Sequence, residues 1–390
     1  MTMGPIVSTK SIAAFDRFVD RCMLDPSRYS LVPGGASSPF ALCFGIFALH
    51  LTRRHELIAR HRRELIDALL ENINSARMAC TDVHGDKSYR QLLTLSLSAL
   101  SILNGIHVQQ LNELVLEQIS RDTTSMLTAF GALDGSPQSG NQAMFQAIFL
   151  LHAERYLGYS AGAELEQWIG LHLSKMNRFG FWGSGVGPTH LFFQNGYHQY
   201  EIFEYLSVEN TRESEAARSV MSLADQDGHY APYPGGGACF DYDGVFLLTP
   251  NGKVAPYAGI AELLSKTFIT LSREQREDGG FCENLLLRPR YLAIPGYFER
   301  LITAKNHAVL KERVRYAISL QRPKYDKLIT HWTNDSRQWA DSDLFSSWFR
   351  LLTLARIECA FFSERASFWG FINYPGIGYH PSLRSQNPAK

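Results

Sequence analysis

The chain carries no surplus of charge: 38 Lys and Arg stand against 38 Asp and Glu, a formal net charge of zero over 390 residues. Nothing in that balance predicts binding to nucleic acid or to an anionic membrane. Its six cysteines, Cys22, Cys43, Cys80, Cys239, Cys282 and Cys359, show no C-x-x-C pair and no regular spacing. A disulfide framework is therefore not expected, and the thiols read as reduced and mostly buried. No window approaches the roughly 20 apolar residues of a membrane span, and the opening MTMGPIVSTKSIAAFDRF lacks the apolar stretch of a secretory leader. Alternating strand patterns are scarce as well. These absences point to a cytoplasmic protein with no integral membrane segment, whose 45% hydrophobic and 19% charged residues suffice for a large core.

What is present is a repeat. Small, polar or Gly/Pro residues precede an apolar run of helical length at Ser38, Ser88, Ser139, Thr189, Asp241 and Asp343, with a poorly formed copy expected near residue 290. A period of about 50 residues fits one pair of antiparallel helices, and such a unit cannot bury its apolar face alone. Six or seven pairs fill the chain. The polar loops fall at the same end of each unit, where ring closure makes them converge on one mouth. The expected fold is all-α, an (α/α)6-type toroid spanning residues 1–380 as a single domain, with 381–390 a frayed tail. Leu92, Leu93, Leu95, Leu97, Leu100 and Leu103, mixed with serines, suit an inner helix. Segments 55–74 and 304–320 carry charges every three or four positions, as outer helices do.

Three constellations carry candidate chemistry. Asp241 and Asp243 flank Tyr242 at a predicted inner-helix start, where Asp241 is a natural N-cap and both carboxylates can reach the mouth. Repulsion within such a pair raises one pKa and makes a general acid. Gln194, Asn195, Tyr197, His198, Tyr200 and Glu201 form a polar segment inside an apolar helix. Gln194, His198 and Glu201 fall on one face, with His198 a candidate base oriented by Glu201 and with Tyr200 or Tyr197 a proton donor. The last repeat adds His331, Trp332, Asp335, Arg337, Trp339, Asp343, Trp348 and Arg350; Asp343 and Arg350, seven apart, form either a brace or, through Arg350, an anion site. Asn141 supplies a further polar group at a mouth, and Trp182 either roofs the cavity or packs between units.

Two passages resemble the terpenoid cyclases and protein prenyltransferase β-subunits: GlnAspGlyHisTyr at 226–230, leading through a glycine run to AlaCysPheAspTyrAspGlyValPheLeuLeu at 238–248, and GluAspGlyGlyPheCysGlu at 277–283. Both are similar to the Gln-x-Asp-Gly-Gly-Phe turns of that superfamily. The resemblance implies that Asp243 holds the place of the proton-donating middle Asp of the class II D-x-D-D element, with Gly244 where the last Asp would stand. Asp243 also stands where the prenyltransferases place a zinc-binding Cys, so zinc and other cofactors are not expected.

Two enzyme classes follow, both acting on a small-molecule substrate. In a terpenoid cyclase, Asp243 protonates an alkene or epoxide and aromatic faces from Phe192, Phe193, Tyr197, Tyr200, Phe240, Phe246 and Trp348 steady the cation. In a carbohydrate-active toroid, the Asp241, Asp243, His198, Tyr200 and Glu201 groups act on a sugar stacked on Trp182, Trp339 or Trp348. A noncatalytic binding toroid is the third reading.

Overall fold

The computed structural model describes residues 4–288, 290–330 and 336–381. In chain order its α-helices are α1 (Thr9–Cys22), α2 (Pro39–Leu51), α3 (His55–Arg60), α4 (Arg62–Ala79), α5 (Lys87–Ile102), α6 (Gln110–Gln118), α7 (Thr123–Phe130) and α8 (Ser139–Leu157). The second half holds α9 (Gly162–Lys175), α10 (His190–Leu206), α11 (Glu213–Leu223), α12 (Ala238–Leu248), α13 (Ile260–Arg273), α14 (Ile294–Ile302), α15 (His307–Leu320) and α16 (Leu344–Phe361). The sheet content among the described residues is one short antiparallel pair, Met23–Asp25 with Arg28–Tyr29.

Six of these helices form the inner ring, each packed on the next: α2, α5, α8, α10, α12, α16 and back to α2. They are buried nearly all round because neighbours cover every side; α2, the most apolar, is buried from Phe40 to Leu49. Each fully buried Leu or Phe contributes roughly 1.5–3 kcal/mol by leaving water. The outer helices bury one stripe only, as Leu65, Leu69 and Ile73 do on α4. N-terminal halves meet N-terminal halves, as in Lys87 with Gln138 and Asn141 with His198. C-terminal halves meet likewise, as in Arg155 with Tyr205 and Arg356 with Glu204. All six inner helices therefore run the same way.

The repeat is marked by local chemistry. Asp86, Thr189 and Asp343 accept hydrogen bonds from Tyr89, Phe192 and Ser346 amides and so start α5, α10 and α16, each such cap contributing about 1 kcal/mol. Five inner helices begin within one residue of the expected position. The exception is α12, which begins at Ala238, three residues before Asp241. Among the described residues no seventh inner helix forms near residue 290. That stretch instead enters a helical hairpin, α14 and α15, packed on itself. Residues 382–390, and with them most of the expected tail, lie outside the described residues, as do His331, Trp332 and Asp335. His380, just before them, is buried.

Candidate functional site

The glycine run 235–237 delivers the chain to α12 at close quarters. Gly236 has φ +70°, and a Cβ there would collide with His229 and Asp241. Gly237 is the N-cap residue but gives no side-chain cap. The service is rendered by Glu283, whose carboxylate accepts the Ala238 amide at 3.2 Å. Asp241 is thus not the helix cap expected of it; it lies inside the first turns, fully buried, and serves another purpose.

Asp241 sits in a four-charge network. His229 Nδ1 is 2.9 Å from Asp241 Oδ2, and His229 Nε2 is 3.1 Å from Glu274 Oε1. Arg350 bonds Asp241 directly and lies 3.6 Å from Glu274, while the Tyr230 amide donates to Asp241 Oδ1 at 2.8 Å. Burial pushes the Asp241 carboxyl up, but the charges of His229 and Arg350 outweigh it and hold it below the ordinary aspartate value. Burial opposes the His229 charge, yet Asp241 and Glu274 raise its pKa to about 10. Arg350 is therefore an internal counter-ion. Its expected partner, Asp343, instead pairs with Arg337 at 3.1 Å.

Two residues on, Asp243 meets the opposite surroundings. Residues i and i+2 diverge by more than half a turn, so Asp243 does not share the Asp241 network, nor do the two point together into the mouth as expected. Neither Asp243 oxygen has a hydrogen-bond partner among the described residues. Burial, then repulsion from Glu201 and Asp241, drives its pKa well above the ordinary value. Glu201, also fully buried, is raised by burial against the pull of Arg356. Around these carboxyls stand Tyr197, 6.0 Å from Tyr242 and 5.7 Å from Phe246 by ring centre. The aromatic wall continues from Tyr242 to Phe349 at 5.6 Å, to Trp348, and to Phe44 and Phe47 on α2. Gly244 fills the place of a third acid for a steric reason: the Tyr230 ring lies on it, and a Cβ would run into that ring.

The polar helix separates into two faces. His198 bonds the Asn141 side chain rather than an acid or a tyrosine, and burial lowers its pKa to about 3, so it is a neutral imidazole. Tyr200 faces outward, donating to the Gly180 carbonyl at 2.8 Å. Asn195 donates to the Ser136 carbonyl at 3.0 Å, where α8 and α10 approach at Gly140. Gln194 stays partly exposed. Trp182 packs between units, its indole N–H on the His172 carbonyl at 2.8 Å.

Residues that the sequence reading passed over complete the mouth. Lys87 and Cys239 keep partial exposure at the starts of α5 and α12. Lys87 lies near enough to His198 and Cys239 for their charges to be felt, and burial lowers its pKa to about 8. His229 and Glu274 were unmarked because their meaning comes only from Asp241. A third turn was also missed. Asn177 to Phe181 repeats the bonds of Asp225 to His229 and Arg276 to Gly280: an amide to the carbonyl four residues on, and a left-handed Gly returning to the first.

No family model matches this chain, and no curated protein matches it. Among solved structures, type II terpene cyclase MstE from Scytonema, in complex with geranylgeranyl dihydroxybenzoate as substrate, superposes with TM-score 0.50 at 12% identity. The match covers 90% of this chain and 97% of that one. An apo structure of MstE gives TM-score 0.48 at 12% identity over 90% and 96% of the two chains. The ring of six inner helices is thus an α/α toroid, the fold it shares with the substrate-bound structure.

Proposed function

We propose that this chain is a terpenoid-cyclase-like enzyme in which Asp243 is the general acid. The supporting observation is Asp243 itself: a buried carboxyl, unpartnered on both oxygens, kept protonated by desolvation and by Glu201, beside aromatic rings. A hydrogen-bonded carboxylate such as Asp241 holds its proton position occupied by partners; Asp243 has only the interior to give its proton to. In the proposed step the Asp243 O–H bond breaks as the π electrons of an alkene form a new C–H bond, or as an epoxide oxygen takes the proton and its C–O bond opens to a hydroxyl. The positive charge then resides on carbon while ring-closing bonds form from the remaining double bonds. The faces of Tyr197, Tyr242, Phe246 and Phe349 lower the energy of that charge, and a C–H proton passes to solvent water at the end, its electron pair forming the product double bond. The Asp243 carboxylate left behind sits in the field of its neighbours and favours reprotonation.

Lys87 at the mouth supplies a cation for an anionic head group, the role that Arg350 is too fully paired to take. The carbohydrate-active reading is the alternative that the same experiment tests: Trp182, Trp339 and Trp348 are as buried as Tyr197, Tyr242, Phe246 and Phe349, so enclosure does not separate the two readings.

Purified protein incubated with linear polyprenyl compounds, as alkenes and as terminal epoxides and with and without an acidic head group, should yield cyclised products by gas chromatography and mass spectrometry. Asp243→Asn should remove them. Turnover of oligosaccharides instead, or unchanged cyclisation by the Asn variant, refutes the assignment.

A further inference from the structure

The α14–α15 hairpin is built inside out. In α14 the one fully buried side chain is Arg300, which pairs with Asp225 at 2.6 Å. Its apolar residues face water: Ile294, Phe298 and Ile302, at helical spacing, are 63%, 67% and 67% exposed, and Tyr291 just before them is 67% exposed. On α15, Val314 and Ile318 share the exposed stripe with Lys311 and Arg315. Exposed apolar surface this concentrated on one hairpin marks a contact surface rather than chance.

The charge around it selects the partner. Residues 288–327 hold ten Lys and Arg against three Asp and Glu, an excess of seven in a chain whose total is zero. Lys305, Lys311, Arg315, Arg322, Lys324 and Lys327 are exposed and pair with no carboxylate among the described residues. Two copies of this face would repel one another. An anionic bilayer satisfies both halves of the pattern, taking Ile and Phe side chains below its headgroups and Lys and Arg among them.

The hairpin also has the right place. Glu312 on α15 accepts the His190 and Leu191 amides at 2.7 and 2.8 Å and so caps α10 at the mouth end of the ring. Tyr316 packs 5.9 Å from Tyr233, and Gly296 lies against Pro234, beside the glycine run that starts α12. We propose that α14 and α15 dock the protein on an anionic membrane surface, mouth side down, without crossing it. Such docking opens the ring toward lipid and goes beyond the proposed chemistry, since it rests on none of the residues assigned to proton transfer.

The test is flotation of the full chain with vesicles of phosphatidylcholine alone and of phosphatidylcholine mixed with phosphatidylserine. Wild type should float with the mixed vesicles, less with phosphatidylcholine alone, and less as salt rises. The pair Ile294→Ser and Phe298→Ser, and separately the pair Lys311→Glu and Arg315→Glu, should each weaken binding at least about tenfold with melting temperatures unchanged. Failure of wild type to float, or flotation unaltered in both double variants, overturns the proposal. A concentration-dependent dimer abolished by Phe298→Ser would give this face to a second copy of the chain and equally overturn it. Because the assay reads association alone, its outcome is independent of whether Asp243 proves to be an acid.

Discussion

Asp241 and Asp243 are two residues apart on one helix, equally buried, and electrostatically opposite. Asp241 has two cations, a backbone amide and a depressed pKa; Asp243 has no hydrogen-bond partner among the described residues, two acidic neighbours and a raised one. Burial penalises both alike, so the difference lies wholly in what each faces. One helical step of two residues turns a structural anion into a candidate acid.

The comparison breaks first, and hardest, at Asp241. Asp241→Ala leaves His229 and Arg350 to share the single carboxylate of Glu274, two buried cations against one anion, a loss expected to reach about 3–5 kcal/mol. Urea unfolding checks it, and a wild-type midpoint would mean that water reaches the network. The same network fixes a pH window. Because the His229 pKa is raised by folding, to about 10, its contribution is complete below its unfolded value of 6.5 and is lost as pH rises through about 10. Asp241, lowered by folding, contributes above its unfolded value of 3.8 and ceases to as pH falls below it. Melting temperature against pH should therefore fall on both sides of neutrality, and the alkaline fall should disappear in His229→Gln.

Asp243→Asn sharpens the contrast. Cyclisation should drop at least about a hundredfold, whereas the melting temperature should hold or rise. The sign follows from its raised pKa: ionising Asp243 costs the folded state stability as pH climbs above 3.8, and Asn removes that cost. A destabilised Asn variant would reassign Asp243 to the fold. Glu201→Gln should act more gently, removing an acid whose ionisation opposes that of Asp243. The alkaline limb of the pH–rate profile should move to lower pH, and an unmoved limb would separate the two carboxyls. Smallest of all, Lys87→Met should raise KM about fivefold for a substrate with an acidic head group while leaving kcat and neutral substrates alone.

Much of the ring was legible in the sequence because its signals are local. A cap such as Thr189 or Asp343 acts on amides three residues away, and an all-round apolar run such as Phe40 to Leu51 has one explanation. The start of α12 was misplaced because its capping group, Glu283, lies 45 residues on. The partner of Arg350 was misread for the same reason: spacing of seven says that Asp343 and Arg350 share a face, but ring geometry brings Asp241 to that guanidinium and Arg337 to Asp343. Asp243 was found from the D-x-D pattern, yet its isolation, on which its chemistry depends, is a property of three helices together. The hairpin in place of a copy near residue 290 broke the rule used to read all the others, since there the apolar residues face out and an arginine faces in.

The closure of the ring has a consequence for how the chain comes into being. Helix α1 packs against both α2 and α16, the Val7 amide bonds the Glu358 carboxylate at 3.2 Å, and the Leu344 amide bonds the Leu31 carbonyl at 2.7 Å. First and last elements are thus partners across a separation of 351 residues. At ribosomal rates of about 5–20 residues per second, α2 (ending at Leu51) waits on the order of 15–60 s for α16 (ending at Phe361). Throughout that interval the α2 flank that α16 will cover lacks its partner, so the ring closes only after nearly the whole chain has been made.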